Sequence, residues 1–194
     1  MATLTLLPDN ETGTNQWQGV GLGAADYTDV NSDDQSTYIR ELTNSHEVTF
    51  TFTDPAVTIA GGGVTSWTSV KVYLKAKYTT SGDQDVDVYV MGNSVETITV
   101  SDATWVTYST AAKTTWNGLI DWNDSRINAL RVKFDKNGAA GMRQALLISY
   151  IYAEVTYVPA LPAGYSNNVN GIDSGDIGKI WGIATADISK VNGV

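Results

Sequence analysis

Hydrophobic and polar residues alternate one by one along much of this chain. HEVTFTFTD sets Val48, Phe50 and Phe52 on one side, with Glu47, Thr49 and Thr51 on the other. SVKVYLKAKY repeats the pattern with Val70, Val72, Leu74, Ala76 and Tyr78 against Lys71, Tyr73, Lys75 and Lys77. DQDVDVYVM places Val86, Val88 and Val90 opposite Asp85, Asp87 and Tyr89, and INALRVKF places Leu130, Val132 and Phe134 opposite Arg131 and Lys133. A period of two is the signature of strands with one buried and one solvated face, as antiparallel sheets have.

The stretches TTSGDQD, MGNS and DKNGAAGM supply turn residues between these strands. Residues 145–158 are apolar on both parities and read as one long strand in a sheet interior. A single helical turn is expected around DWNDSRINAL, capped by Asp124 or Ser125. Helical periodicity is otherwise missing before residue 159, which excludes a parallel α/β architecture. The expected fold is all-β, an antiparallel jelly-roll-like β-sandwich over residues 1–158.

Residues 159–165, PALPAGY, hold two prolines and a glycine and read as a linker. Beyond it, residues 166–194 repeat an eleven-residue pattern, with Asp176, Ile177 and Lys179 returning as Asp187, Ile188 and Lys190. Ser174 and Thr185 suit helix N-caps, while Gly182 and Gly193 suit helix ends, so each repeat is expected to form a short helical turn. A seven-residue helix is marginal alone, and two repeats do not make a self-supporting core. Three readings stand open: a disordered tail, one continuous helix, or an apolar peptide for anchoring or oligomerisation. In the last, Ile172, Ile177, Ile180, Trp181, Ile183, Ile188 and Val191 bury against another copy of the chain or a neighbouring protein.

Composition narrows the function classes. The chain of 194 residues carries a formal charge of −9, so no nucleic-acid partner is expected. It has no cysteine, hence neither disulfide nor thiolate chemistry. MATLTLLPDN has no basic segment and no long apolar run, and so does not read as a signal peptide. No stretch is apolar for long enough to cross a bilayer as a helix, and no membrane partner is expected.

His46 is the only histidine, and a Ser-His-Asp triad would have to use it. Its place at the mouth of a strand favours a structural role, and the chain is expected not to be an enzyme and to need no cofactor. Asp29, Asn31 and Asp33 reproduce the opening of an EF-hand loop, but Asp34 stands where that loop needs glycine and Arg40 where it needs glutamate. They stay weak metal candidates. Trp116 and Trp122 flank the loop WNGLIDW, where aromatic rings either stack on glycans or plug the end of a sandwich. Trp67 and Trp105, at strand starts, are expected in the core.

Residues 3–158 resemble a β-sandwich domain that recurs in structural proteins of tailed bacteriophages. The resemblance lies in the order of LLPDNETGTNQWQGVG, DDQSTYIRE, TFTDPA, VTSWTSVKVYLKAK, the TTW…W…INALRVKF stretch and a last strand ending YAEVTYV. The NG[IV] ending is similar to tails on phage virion proteins. The resemblance implies a non-enzymatic virion component, such as a capsid decoration protein, head fibre or tail-associated appendage, on the surface of an extracellular particle. It implies as partners the chain itself, as a homo-oligomer such as a trimer, and other virion proteins. The alternative is a carbohydrate-binding, adhesin-like sandwich that recognises surface glycans.

Overall fold

The computed structural model describes residues 1–19, 23–43, 45–55, 63–79, 83–91, 94–116, 120–137, 145–160, 179–180 and 183–184. The elements in chain order are β1 (Ala2–Leu6), β2 (Pro8–Glu11), a 3-10 turn (Tyr27–Asp29), β3 (Ile39–Glu41), β4 (Glu47–Phe52), β5 (Val64–Tyr78) and β6 (Gln84–Val90). There follow β7 (Ser94–Val100), β8 (Val106–Ser109), β9 (Thr115–Trp116), β10 (Ile120–Asp121), α1 (Asp124–Asn128), β11 (Arg131–Lys136) and β12 (Leu146–Pro159). Two five-stranded antiparallel sheets form a jelly-roll-like β-sandwich. The first, sheet A, has the order β1-β12-β5-β8, with β3 also pairing β12; the second, sheet B, has the order β2-β4-β11-β6-β7.

The alternation in sequence becomes the division between core and surface. Val48 and Phe50 of β4, Val132 and Phe134 of β11, and Val86 and Val88 of β6 meet Val70, Val72, Leu74 and Ala76 of β5, all fully buried. The N-terminal segment contributes to both layers. β1 pairs with β12 in sheet A, and after Leu7 the chain crosses to sheet B, where Pro8 opens β2 against β4. A strand's first position is where proline's missing N–H costs least.

The long strand expected over residues 145–158 is observed at Leu146–Pro159. Its two apolar parities have a local cause. Leu146 and Ile148 face the core, and so do Ile151, Ala153 and Val155. An even series gives way to an odd one because the register with β5 shifts between Ile148 and Tyr150. Ser149 is the extra residue of this bulge and is fully buried. A bulge inserts one residue on one strand only, which exchanges the faces of everything after it. Tyr150 and Tyr152 therefore stand on the outer face of sheet A.

Two expectations change in detail. The helical turn is α1, but its N-cap is Asn123, whose side chain accepts from Arg126 N, rather than Asp124 or Ser125. In the tail, Lys179–Ile180 and Ile183–Ala184 form a small antiparallel pair, β13 with β14, where the repeat was expected to end a helical turn. A helix of seven residues gains few hydrogen bonds for its nucleation cost, whereas β-branched Ile180 and Ile183 suit facing extended strands. Ile172, Ile177, Trp181, Ile188 and Val191, with residues 161–165 of the linker, lie outside the described residues.

Deleting Ser149 is expected to cost more than about 4 kcal/mol, because either segment of β12 then presents the wrong face. Ser149→Ala keeps the bulge and removes a buried hydroxyl that has no hydrogen-bond partner among the described residues. It is expected to stay within about 1 kcal/mol of the parent. Urea unfolding of both variants checks the contrast.

Candidate functional site

The outer faces of the two sheets differ in chemistry. On sheet B, Glu47 of β4, Asp135 of β11 and Asp87 of β6 occupy a single cross-strand rung. Lys133 bridges to Glu47 at 2.9 Å, while Asp87 accepts from Thr97 and Asn137. Burial holds the Asp135 carboxyl above its ordinary value; Lys133 opposes the rise, and Glu47 and Asp87 reinforce it.

Sheet A presents aromatic and cationic groups instead. β12 lies between β5 and the strands β1 and β3, which aligns outer side chains in rungs. From one end these rungs are Thr3, Thr156 and Ser69; Thr5, Glu154 and Lys71; Tyr152, Tyr73 and Ser109; Tyr150, Lys75 and Thr107; and Arg40, Leu147 and Lys77. The Tyr73 and Tyr152 rings are stacked, with centroids 4.6 Å apart and planes within 5°. Tyr150 lies 5.2 Å from Tyr152. Lys71 Nζ sits 4.7 Å over the Tyr73 ring and Lys77 Nζ 4.5 Å over the Trp105 ring, which in turn meets Tyr38 at 6.3 Å. These contacts fall within the range of cation–π attraction. Burial raises the Tyr150 and Tyr152 hydroxyls above the ordinary phenol value, so both keep their protons at neutral pH and can donate hydrogen bonds.

Trp105 is therefore not a core residue. It is half-exposed just before β8, where it covers Lys77. Trp67 is buried as expected and packs on Tyr157 with centroids 5.7 Å apart. Of the two tryptophans that suggested stacking on sugars, Trp122 is only 5% exposed and takes the plugging role. Its indole donates to the Lys113 carbonyl, which also accepts from Val70 N, so it fastens this segment to β5. The backbone of Trp116 pairs with Ile120 in the β9–β10 hairpin, and its side chain lies outside the description. Beside Trp122 a cleft of about 520 Å³ opens between Val64–Trp67 and Asp121–Ser125. Its indole donor is already committed, since Trp67 Nε1 bonds to Asp124.

The acidic loop holds its own backbone. Asp29 and Asp26 make a reciprocal capping box around the 3-10 turn. Gly19 lies so close that a Cβ there would stand 2.2 Å from the Asp29 carboxylate. Asp33 turns the other way and pairs with Lys75 at 2.7 Å, which brings the loop to the edge of the tyrosine face. Asp29, Asn31 and Asp33 are thus not brought together, and no cluster of metal-ligating side chains occurs among the described residues. His46 Nδ1 lies 3.2 Å from Glu41, and the His46 carbonyl accepts from Trp17 and from Lys136 N.

No protein-family model and no curated protein matches the chain. Among solved structures it is similar to the CBM36-1 domain of a multidomain xylanase from the hindgut metagenome of Trinervitermes trinervoides. The identity is 10% and the TM-score 0.43, over 80% of this chain and 97% of that one. It is also similar to the carbohydrate-binding module CBM36 in complex with calcium and xylotriose, at 8% identity and TM-score 0.44, over 80% of this chain and 100% of that one. A family two carbohydrate esterase from Cellvibrio japonicus matches at 10% identity and TM-score 0.39, over 84% of this chain and 36% of that one.

Two stability experiments follow from this geometry. Trp122→Ala is expected to cost about 3–5 kcal/mol in chemical unfolding, as the loss of a buried plug would. An unchanged midpoint would show that Trp122 does not close the sandwich. The raised pKa of Asp135 means that its ionised form opposes folding at neutral pH. That opposition fades as pH falls through the raised value and is gone below the ordinary value of 3.8. Asp135→Asn is expected to stabilise the protein at pH 7 by a few tenths to about 1 kcal/mol and to bring no gain near pH 3. Thermal melts at both pH values measure the difference.

Proposed function

We propose that this chain is a non-catalytic glycan-binding β-sandwich whose binding surface is the outer face of sheet A. The observation that carries this reading is the contiguous ladder of Tyr73, Tyr152 and Tyr150 on a solvated sheet face. These half-buried rings lie outside the core between the sheets, and together they make an apolar patch with polar tips. A sugar has the complementary character, with apolar C–H surfaces ringed by hydroxyls. Tyr152 and Tyr150 offer ring surface for the first, held beside Tyr73, whose ring stacks on Tyr152 and lies under Lys71 Nζ. Phenol hydroxyls, Thr107, Ser109, Thr156 and Glu154 supply donors and acceptors for the second. The rungs run along β5 from Ser69 to Lys77, a length that suits a stretch of polysaccharide rather than a free monosaccharide.

Several features favour binding without catalysis. Glu154 is the only carboxylate in the rungs of this face, and Asp33 at its rim is tied to Lys75. Glycoside hydrolysis in its usual form uses a pair of carboxyl groups placed across the scissile bond. The virion reading, with its oligomerising tail, rests on sequence resemblance, and nothing in the described sandwich adds to it.

The test is a glycan array probed with the whole chain. Retention on a polysaccharide is expected, with Tyr73→Ala and Tyr152→Ala each weakening it by about tenfold, or ~1.4 kcal/mol. The melting temperature should change little. No retention of the parent chain on any glycan, or tyrosine variants that bind as the parent does, would sink the reading.

A further inference from the structure

Building on the glycan-binding reading, we infer that the preferred ligand of sheet A is an acidic polysaccharide whose carboxylates, those of uronic acid units, are met by Lys71 and Lys77. The chain as a whole carries −9, yet the rungs of this one face hold Lys71, Lys75, Lys77 and Arg40 against a single Glu154, with Asp33 at the rim. The opposite outer face holds Glu47, Asp85, Asp87 and Asp135 against Arg131 and Lys133. A positive face kept on a strongly acidic chain orients an anionic partner towards one side only.

The lysines on the face are not equivalent. Lys75 is paired with Asp33, and Arg40 donates twice to Gln18. Lys71 and Lys77 instead lie over the Tyr73 and Trp105 rings, and neither is in an ion pair among the described residues. A ring face holds an ammonium in place without neutralising it, so each lysine stays available to a carboxylate. The two are six residues apart on β5, or about 20 Å along the strand, with the tyrosine ladder between them. A chain lying along β5 would meet the Lys71 ammonium over the Tyr73 ring, then the Tyr152 and Tyr150 rings beside the Lys75–Asp33 pair, then the Lys77 ammonium over Trp105. Such an occupant needs charge that is spaced rather than dense. Glu154 and Asp33 stand within or beside the same track and would repel a polymer with an anion at every step, such as a nucleic acid or a heavily sulfated glycan.

The experiment measures the whole chain binding to polygalacturonate, a neutral xylan, a heavily sulfated glycan and a single-stranded oligonucleotide, at low and at physiological salt. Polygalacturonate is expected to bind most tightly and to weaken with salt. The double variant Lys71→Gln, Lys77→Gln should lose about tenfold and most of that salt dependence, while Lys71→Arg, Lys77→Arg retains both. Melting curves confirm that each variant is folded. Equal or tighter binding of the neutral xylan, untouched by the lysine changes, overturns the acidic preference and leaves the glycan-binding reading intact. Tighter binding of the sulfated glycan or oligonucleotide overturns it in favour of general polyanion attraction. No binding to any of the glycans ends the glycan-binding reading and this inference with it.

Discussion

The arrangement of the surface depends on one inserted residue. At Ser149 the long strand β12 takes an extra position against β5, and its inward series passes from even to odd residues. Without that shift Ile151, Ala153 and Val155 would face water, and the Tyr150 and Tyr152 hydroxyls would be carried into a largely apolar core. With it, one strand buries apolar residues from Leu146 to Val155 and still delivers two tyrosines to the outer surface. The stack on Tyr73, the reach of Asp33 across to Lys75 and the cation–π contact of Lys71 with Tyr73 are all arranged around that ladder.

A second consequence is the segregation of charge. Side chains on an antiparallel sheet are fixed in rungs, so like charges placed opposite each other cannot separate. Sheet B accepts such a rung in Glu47, Asp135 and Asp87, where burial first, and the two flanking carboxylates after it, hold the Asp135 carboxyl above its ordinary value against the pull of Lys133. Sheet A collects cations, and it keeps Lys71 and Lys77 over aromatic rings instead of pairing them. In a −9 chain these two arrangements give the sandwich two chemically distinct sides, and the tyrosine ladder lies on the positive one.

Much of the fold was legible before any tertiary information. Val48, Phe50, Val72, Leu74, Val88, Val132 and Phe134 are buried as a strict period of two requires, because within an unbroken strand parity alone assigns the face. The helical turn near Asn123 was legible from its sequence, though the cap is Asn123, ahead of both Asp124 and Ser125. The candidate site was legible only in fragments. Lys71, Tyr73, Lys75 and Lys77 could be assigned to one solvated face of β5, but that face carried no sign of what lay beside it. Trp122 drew attention as an aromatic near a loop, and its burial came from an indole donor reaching the Lys113 carbonyl, a contact between neighbouring loops that no local pattern encodes.

The sequence by itself determined an antiparallel β-sandwich, its principal core residues and the solvated lysines of β5, because those follow from local alternation and turn chemistry. The tertiary structure decided where the bulge falls, and with it which face Tyr150 and Tyr152 occupy. It also decided that Trp105, itself against Tyr38, meets Lys77, and that Asp33 pairs with Lys75 while Asp29 caps the 3-10 turn. The reason is physical. Parity within a strand is a property of one segment, whereas register is a property of two, settled only when both strands and the core between the sheets are satisfied together.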